Sequence, residues 1–413
     1  MIKPENPPSM PGPAGLAYRL RGLHPLDWVA IVLFVAGAGC VASGLLPLSE
    51  TDATLRRILP ILLFLATVIP LAELTAAAEV FDVIAAWIAR LARGSYPLLF
   101  LLCVVLASFT TITLNLDTTA VLLTPVMLAL ATRIGGSPLP LAMTTVWLAN
   151  TASLLLPVSN LTNVLAAQRV GLAPVVFAHR MLLPQLAAIL ATMLFLWVFY
   201  WRRGARGADR YTPPLPRRPH RSGLFLVCCG ACLLFIVGIL LAVPLEVASA
   251  VAAGIAVVGF LVADRANLRW GLIPLRLLVF VTGLFLVIQT IGRHGLDSLL
   301  RTLIGPDGGA VGLFRAAGVG AGLSNLLNNL PAYLAGEAVV PVPNHDQLLA
   351  LLVGTNLGPI ITPWASLATL IWYERCRSQG VAVSLGRLSR TGACLAVVGM
   401  AGALGALLLT GSA

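Results

Sequence analysis

The residues of this 413-residue chain best placed to do chemistry are amides and hydroxyls, gathered in four clusters inside apolar sequence. The first is Thr113-Leu-Asn115-Leu-Asp117-Thr118-Thr119, and the second runs from Asn150 through Thr151, Ser153, Pro157, Ser159, Asn160 and Thr162 to Asn163. The third is Ser324-Asn325-Leu-Leu-Asn328-Asn329-Leu-Pro331. The fourth runs from Thr355 and Asn356 through Gly358, Pro359, Thr362, Pro363 and Ser366 to Thr369. Asn, Ser and Thr side chains both donate and accept hydrogen bonds, and half-helix N-termini add backbone N–H groups at a positive dipole end. Such a set suits a small neutral polyol, an anion, or a sodium ion held by carbonyl oxygens. The same groups could instead bind helices to one another. Two matching clusters, each beside Pro, favour a site over glue, because unwound backbone survives at membrane depth only in protein or against a wet cavity.

Asp117 is the one carboxylate in these clusters. An acid inside a membrane is costly and usually functional, and a carboxyl that alternates between its two protonation states can carry a proton. The bland alternative is a shallow interfacial acid. Glu73, Glu79, Asp82 and Glu337 lie nearer the expected interfaces and read as structural.

Composition says where the clusters sit. The chain is 58% hydrophobic and 10% charged, with a mean hydropathy of +0.93, whereas a soluble domain carries about 25% charged residues. At roughly 20 residues per crossing, there is room for about ten. The fold class expected is an all-α polytopic membrane protein of two inverted repeats, each with a re-entrant hairpin and a broken transmembrane helix. The hairpins hold the first and third clusters, and the broken spans hold the second and fourth. Residues 77–93 and 294–304 alternate apolar and charged residues at helical spacing and read as interfacial helices preceding each hairpin. Paired broken helices are the mark of a secondary transporter with a midplane site.

Seven arginines fall between Arg202 and Arg221 against one acid, Asp209, beside Pro213, Pro214, Pro216 and Pro219. Basic loops mark the cytoplasmic side, so this is read as a cytoplasmic linker and not a nucleic-acid site. The expected organisation is a tail over 1–25, a first repeat over 26–200, the linker over 201–222, and a second repeat with one extra span over 223–413. The N-terminus is expected in the cytoplasm and the C-terminus outside, in a plasma-membrane protein; Arg293, Arg301 and Arg315 are the exceptions to the charge rule. Cys228, Cys229 and Cys232 could bind a soft metal or simply pack as small apolar residues. No HExxH or GxSxG motif supports an enzyme, and two opposed hairpins argue against a passive pore.

The stretches Leu116–Pro125, Ala149–Asn163, Asn328–Pro331 and Leu357–Leu370 resemble the arsenite efflux permease family of the ion transporter superfamily, over roughly residues 54–410. The resemblance implies export of trivalent arsenic or antimony hydroxides driven by the proton gradient, sometimes aided by a soluble ATPase. No cofactor, metal or nucleic acid is expected, and membrane lipid and a small inorganic substrate are the expected partners, in a chain compatible with an oligomer. Asn150 and Asn356 stand where that family often has Asp, and Ile360 where it often has Lys; the chain's one lysine is Lys3. The substrate-binding set expected is Asn115, Thr118, Asn150, Ser153, Ser159, Asn160, Asn163, Asn328, Asn329, Asn356, Thr362 and Ser366, with Asp117 carrying the proton. A sodium-coupled anion or dicarboxylate symporter, or a sodium/proton antiporter of the same fold, is the alternative.

Overall fold

The computed structural model describes residues 25–202, 210–215, 219–241, 243–341 and 343–410. The expected N-terminal tail, much of the arginine linker and the final Gly-Ser-Ala lie outside them. Among the described residues there are seventeen α-helices, and eight helical stretches are long and apolar enough to cross a membrane.

The described residues form two compact units. The smaller combines the described part of residues 1–62 with Pro274–Thr290. It holds α1 (Pro25–Ala42), the start of α2 (Leu48–Ala77) and most of α11 (Leu275–Ile291). Within it Gly283 lies so close to the Phe34 backbone that a methyl group there would collide.

The larger unit contains all four polar clusters. It continues through amphipathic α3 (Val80–Leu91), α4 (Tyr96–Thr113), α5 (Leu116–Ile134), α6 (Pro138–Thr151), α7 (Leu161–Val170) and α8 (Pro174–Leu196). Then come α9 (Ser222–Leu240) and α10 (Leu245–Ala263), and after the smaller unit's segment amphipathic α12 (Asp297–Ile304) and α13 (Ala310–Leu326). The chain closes with α14 (Asn329–Val339), α15 (His345–Leu357), α16 (Leu367–Ser378) and α17 (Leu385–Thr410). The order amphipathic helix, hairpin, helix, break, short helix, long helix thus occurs twice, in α3–α8 and in α12–α17.

Local sequence explains the punctuation. Pro138 and Pro174 open α6 and α8, where a missing N–H costs nothing. Gly135 and Gly171 close α5 and α7 in the left-handed conformation. The arms of the first hairpin are longer than expected for a shallow re-entrant element. At 18 and 19 residues, each could cross the hydrocarbon, whereas the second hairpin's arms have 17 and 11. The linker is docked where it is described: Arg210 bridges Ser95, and the Tyr211 hydroxyl donates to the Ala89 carbonyl at 2.6 Å.

At the core lie α6 and α15, buried all round from Pro140 to Thr151 and from Gln347 to Leu357. Small residues admit that packing. A methyl group on Gly354 would strike the Ala317 backbone, and one on Gly358 would strike Ala321.

Candidate functional site

Each hairpin turns on a Leu-Asn pair with nearly the same backbone. Leu114 has φ −104° and ψ −69°, followed by Asn115 at 163° and 175°. Leu327 has φ −112° and ψ −79°, followed by Asn328 at 172° and 158°. The two asparagines then do different work. Asn115 caps α5, its Oδ1 accepting the Thr118 N–H at 2.7 Å. Asn328 cannot do the same, because Pro331 holds the equivalent position and has no N–H. Its amide instead donates to the Trp364 carbonyl at 3.0 Å.

Both central helices end in a break. After α6 the chain unwinds through Ala152–Leu156, makes a single 3-10 turn at Pro157–Ser159, and restarts as α7 under an Asn160 cap. After α15 it turns at Gly358–Ile360 and restarts as α16 under a Ser366 cap that accepts the Thr369 N–H at 3.1 Å. The last turn of each central helix reaches the first turn of the other break's short helix. Asn150 Nδ2 donates to Thr369 Oγ1 at 3.0 Å. Asn356 Oδ1 accepts from Asn160 Nδ2 at 3.0 Å and from the Thr162 hydroxyl at 2.9 Å. The exchange is reciprocal.

In the Asn356 cluster every side-chain amide nitrogen and oxygen has a partner. Asn163 Nδ2 donates to the carbonyls of Ser153 and Leu156 at 2.6 and 2.9 Å, which can only accept. Its Oδ1 must therefore accept, and it takes Asn356 Nδ2 at 2.9 Å. That orients the Asn356 amide and turns its oxygen toward Asn160 and Thr162. Ser153 Oγ returns to the Asn150 carbonyl at 2.6 Å.

The α16 end is unsaturated. Asn150 spends its amide protons on the Val146 carbonyl and on Thr369, and its buried Oδ1 has no partner. The backbone N–H of Ala368, the residue before Thr369, faces Asp117, whose buried Oδ1 has no partner. The hydroxyl of fully buried Thr118 has none either. Asp117 and Asn150 thus meet consecutive residues of one helix N-terminus, and each leaves an acceptor unused.

The second hairpin is tied to its break on every side. Asn325 Nδ2 donates to the Gly358 carbonyl at 2.9 Å, and Thr362 Oγ1 donates to Asn325 Oδ1 at 2.9 Å. Trp364 Nε1 donates to the Asn325 carbonyl at 2.7 Å, and the Asn329 N–H donates to the Ala365 carbonyl at 2.8 Å. The first hairpin is tied to its break by Ser159 Oγ, which donates to the Ile112 carbonyl at 2.8 Å.

The expected residues therefore divide into three groups. Asp117, Thr118, Asn150 and Ser366 meet around the start of α16, with Asn115 one turn away as the α5 cap. Ser153, Asn160, Asn163 and Asn356 interlock between the first break and α15. Asn328, Asn329 and Thr362 hold the second hairpin, and Ser159 holds the first. Sequence reading missed Gln185 of α8. Its Oε1 accepts the N–H groups of Leu154 and Leu155 at 2.7 and 3.1 Å, and its Nε2 donates to the Thr151 carbonyl at 2.9 Å. It satisfies backbone that the break frees. The available signal was a lone Gln inside an apolar span.

Comparison with known proteins agrees with a transporter. The citrate transporter family (CitMHS) matches residues 19–354. An arsenical pump membrane protein of Escherichia coli is 30% identical over 331 residues, 76% of this chain and 77% of that protein. One of Yersinia enterocolitica is similar to the same extent. A putative arsenical pump membrane protein of Bacillus subtilis (strain 168) is 23% identical over 352 residues, 75% of this chain and 78% of that protein. A solved structure, the Alcanivorax borkumensis YdaH transporter, is similar at 16% identity and a TM-score of 0.46, covering 93% of this chain and 97% of that one. That likeness is too loose to carry an argument. The chain is a multi-pass membrane transporter that belongs to the citrate transporter family and is kin to the arsenical pump membrane proteins.

Proposed function

We propose that this chain exports neutral trihydroxides of trivalent arsenic or antimony across the plasma membrane in exchange for protons. One observation carries the reading: beside the Thr118 hydroxyl, which can donate or accept, the unused valences at the start of α16 are acceptors, Asp117 Oδ1 and Asn150 Oδ1. A neutral trihydroxide brings three O–H donors and fills them. A polycarboxylate brings acceptors and charge. None of the four polar clusters contains Lys, Arg or His to balance it. A carboxylate held about 4 Å from ionised Asp117 would be repelled by roughly 4 kcal/mol at an effective dielectric of about 20, which the end of one helix dipole, at most about 2 kcal/mol, does not offset.

Coupling follows from the same oxygen. Ionised Asp117 accepts a cargo hydroxyl. Once Asp117 takes a proton from outside, that acceptor is filled and the cargo leaves. Carrying the proton inward and releasing it restores the acceptor. Proton and cargo thus alternate on one group, which is exchange. The matched tips and the reciprocal Asn150 and Asn356 contacts support an inverted-repeat arrangement, with the N-terminus inside and the C-terminus outside as the basic loops suggest. A soluble ATPase and self-association remain compatible additions.

The test is arsenite accumulation in an arsenite-sensitive host with and without the protein, alongside citrate uptake. The reading expects lower arsenite accumulation and unchanged citrate. Citrate or sodium-dependent dicarboxylate uptake, with arsenite unaffected, would support the symporter alternative instead.

A further inference from the structure

Three thiols lie within five residues of α9, at Cys228, Cys229 and Cys232. Cys228 and Cys232 are one helical turn apart on one face, where side chains at this spacing have Cβ atoms about 5–6 Å apart. That face meets α2. Cys228 Sγ lies 3.9 Å from the Leu74 carbonyl and Cys232 Sγ lies 3.4 Å from the Thr75 hydroxyl, so the two sulfurs address adjacent residues of one helix. Both are free thiols, Cys228 buried and Cys232 partly accessible. Among the described residues no three metal-ligating side chains converge. A pair of thiols is nevertheless what a trivalent metalloid needs.

We propose that Cys228 and Cys232 form a dithiol site for trivalent arsenic or antimony, separate from the start of α16. Arsenic trihydroxide condenses with the two thiols: each thiol proton leaves with an arsenic hydroxyl as water. Two As–S bonds replace two As–O bonds, two waters are released, and the third valence keeps its hydroxyl. Arsenic stays trivalent, so no oxidant or reductant is required. Cys228 is six residues into α9, about 9 Å from its start at 1.5 Å per residue. With the linker in the cytoplasm, that is the side on which cargo accumulates before export. Cys229 points to a different face and plays no part. The inference rests on the proposed cargo only in that this cargo supplies the metalloid; the condensation does not require transport.

The experiment uses the full-length protein in lipid nanodiscs, reduced with a phosphine, incubated with arsenite and desalted. Retained arsenic is counted per protein. One arsenic is expected on the wild type, released by a dithiol chelator and not by a monothiol at the same thiol concentration. Cys228→Ser and Cys232→Ser, which keep side-chain size, should each weaken retention at least tenfold. Cys229→Ser, Cys40→Ser and Cys394→Ser should not. Equal retention by the Cys228→Ser/Cys232→Ser double variant, or none by the wild type, overturns the site. Efflux measured on the same proteins separates the two readings. Efflux without retained arsenic refutes the dithiol site and leaves the transport reading standing. Retention without efflux does the opposite.

Discussion

Single residues carry the sharpest consequences. Asp117→Asn keeps the shape, but the side chain can no longer take up and release a proton. Proton-driven transport should be lost while expression and thermal stability stay within about 1 kcal/mol of wild type, the scale of one hydrogen bond. Driven transport in that variant would remove Asp117 from coupling. Asn356→Asp is a test of a different kind. Asn163 presents an oxygen to position 356 because its nitrogen is committed to two carbonyls. A carboxylate there would meet that oxygen in a buried setting and leave it without a donor. The expected loss is about 1–3 kcal/mol, seen as a lower unfolding temperature in detergent, and an unchanged temperature would contradict the assigned amide orientation. The Asn at this position thus has a structural reason. Asp117 was legible as the one acid in the four polar clusters. The interlocking of Asn160 and Asn163 with Asn356 was not, because the partners are 196 and 193 residues apart and periodicity carries no pairing information at that range.

At the scale of elements, the two hairpins share a tip geometry and differ in how they are held. The second is fastened to its break by five hydrogen bonds through Asn325, Asn328, Asn329, Thr362 and Trp364. The first is fastened to its break through Ser159. At about 1 kcal/mol net per bond, the first tip opens far more easily. Amide hydrogen exchange should therefore show fast exchange over 112–119 that slows when arsenite binds, and slow exchange over 325–331 in both states. Equal protection of the two tips would contradict this division of labour. The hairpins and breaks were readable from polar residues beside Pro in apolar runs. Their fastening was not, since it turns on Pro331 denying Asn328 a cap and on Gln185 reaching the first break from α8.

For the whole molecule, composition was enough to place the chain in a membrane, because 10% charged residues cannot cover a soluble surface. The count of crossings was less legible. The arms α4 and α5 are each long enough to span, so length alone does not separate a crossing from a deep hairpin. The grouping of α1 with α11 is likewise invisible to hydropathy, because packing partners inside a membrane differ from lipid in shape and not in polarity. The direction of transport is a property at this scale, and everted membrane vesicles measure it. With an acidic interior imposed, vesicles carrying this protein should accumulate arsenite. An uncoupler should abolish the uptake, and a hundredfold excess of citrate should not compete. Accumulation that persists after the proton gradient is collapsed, or citrate uptake in place of arsenite, would contradict a proton-driven exporter of a neutral trihydroxide.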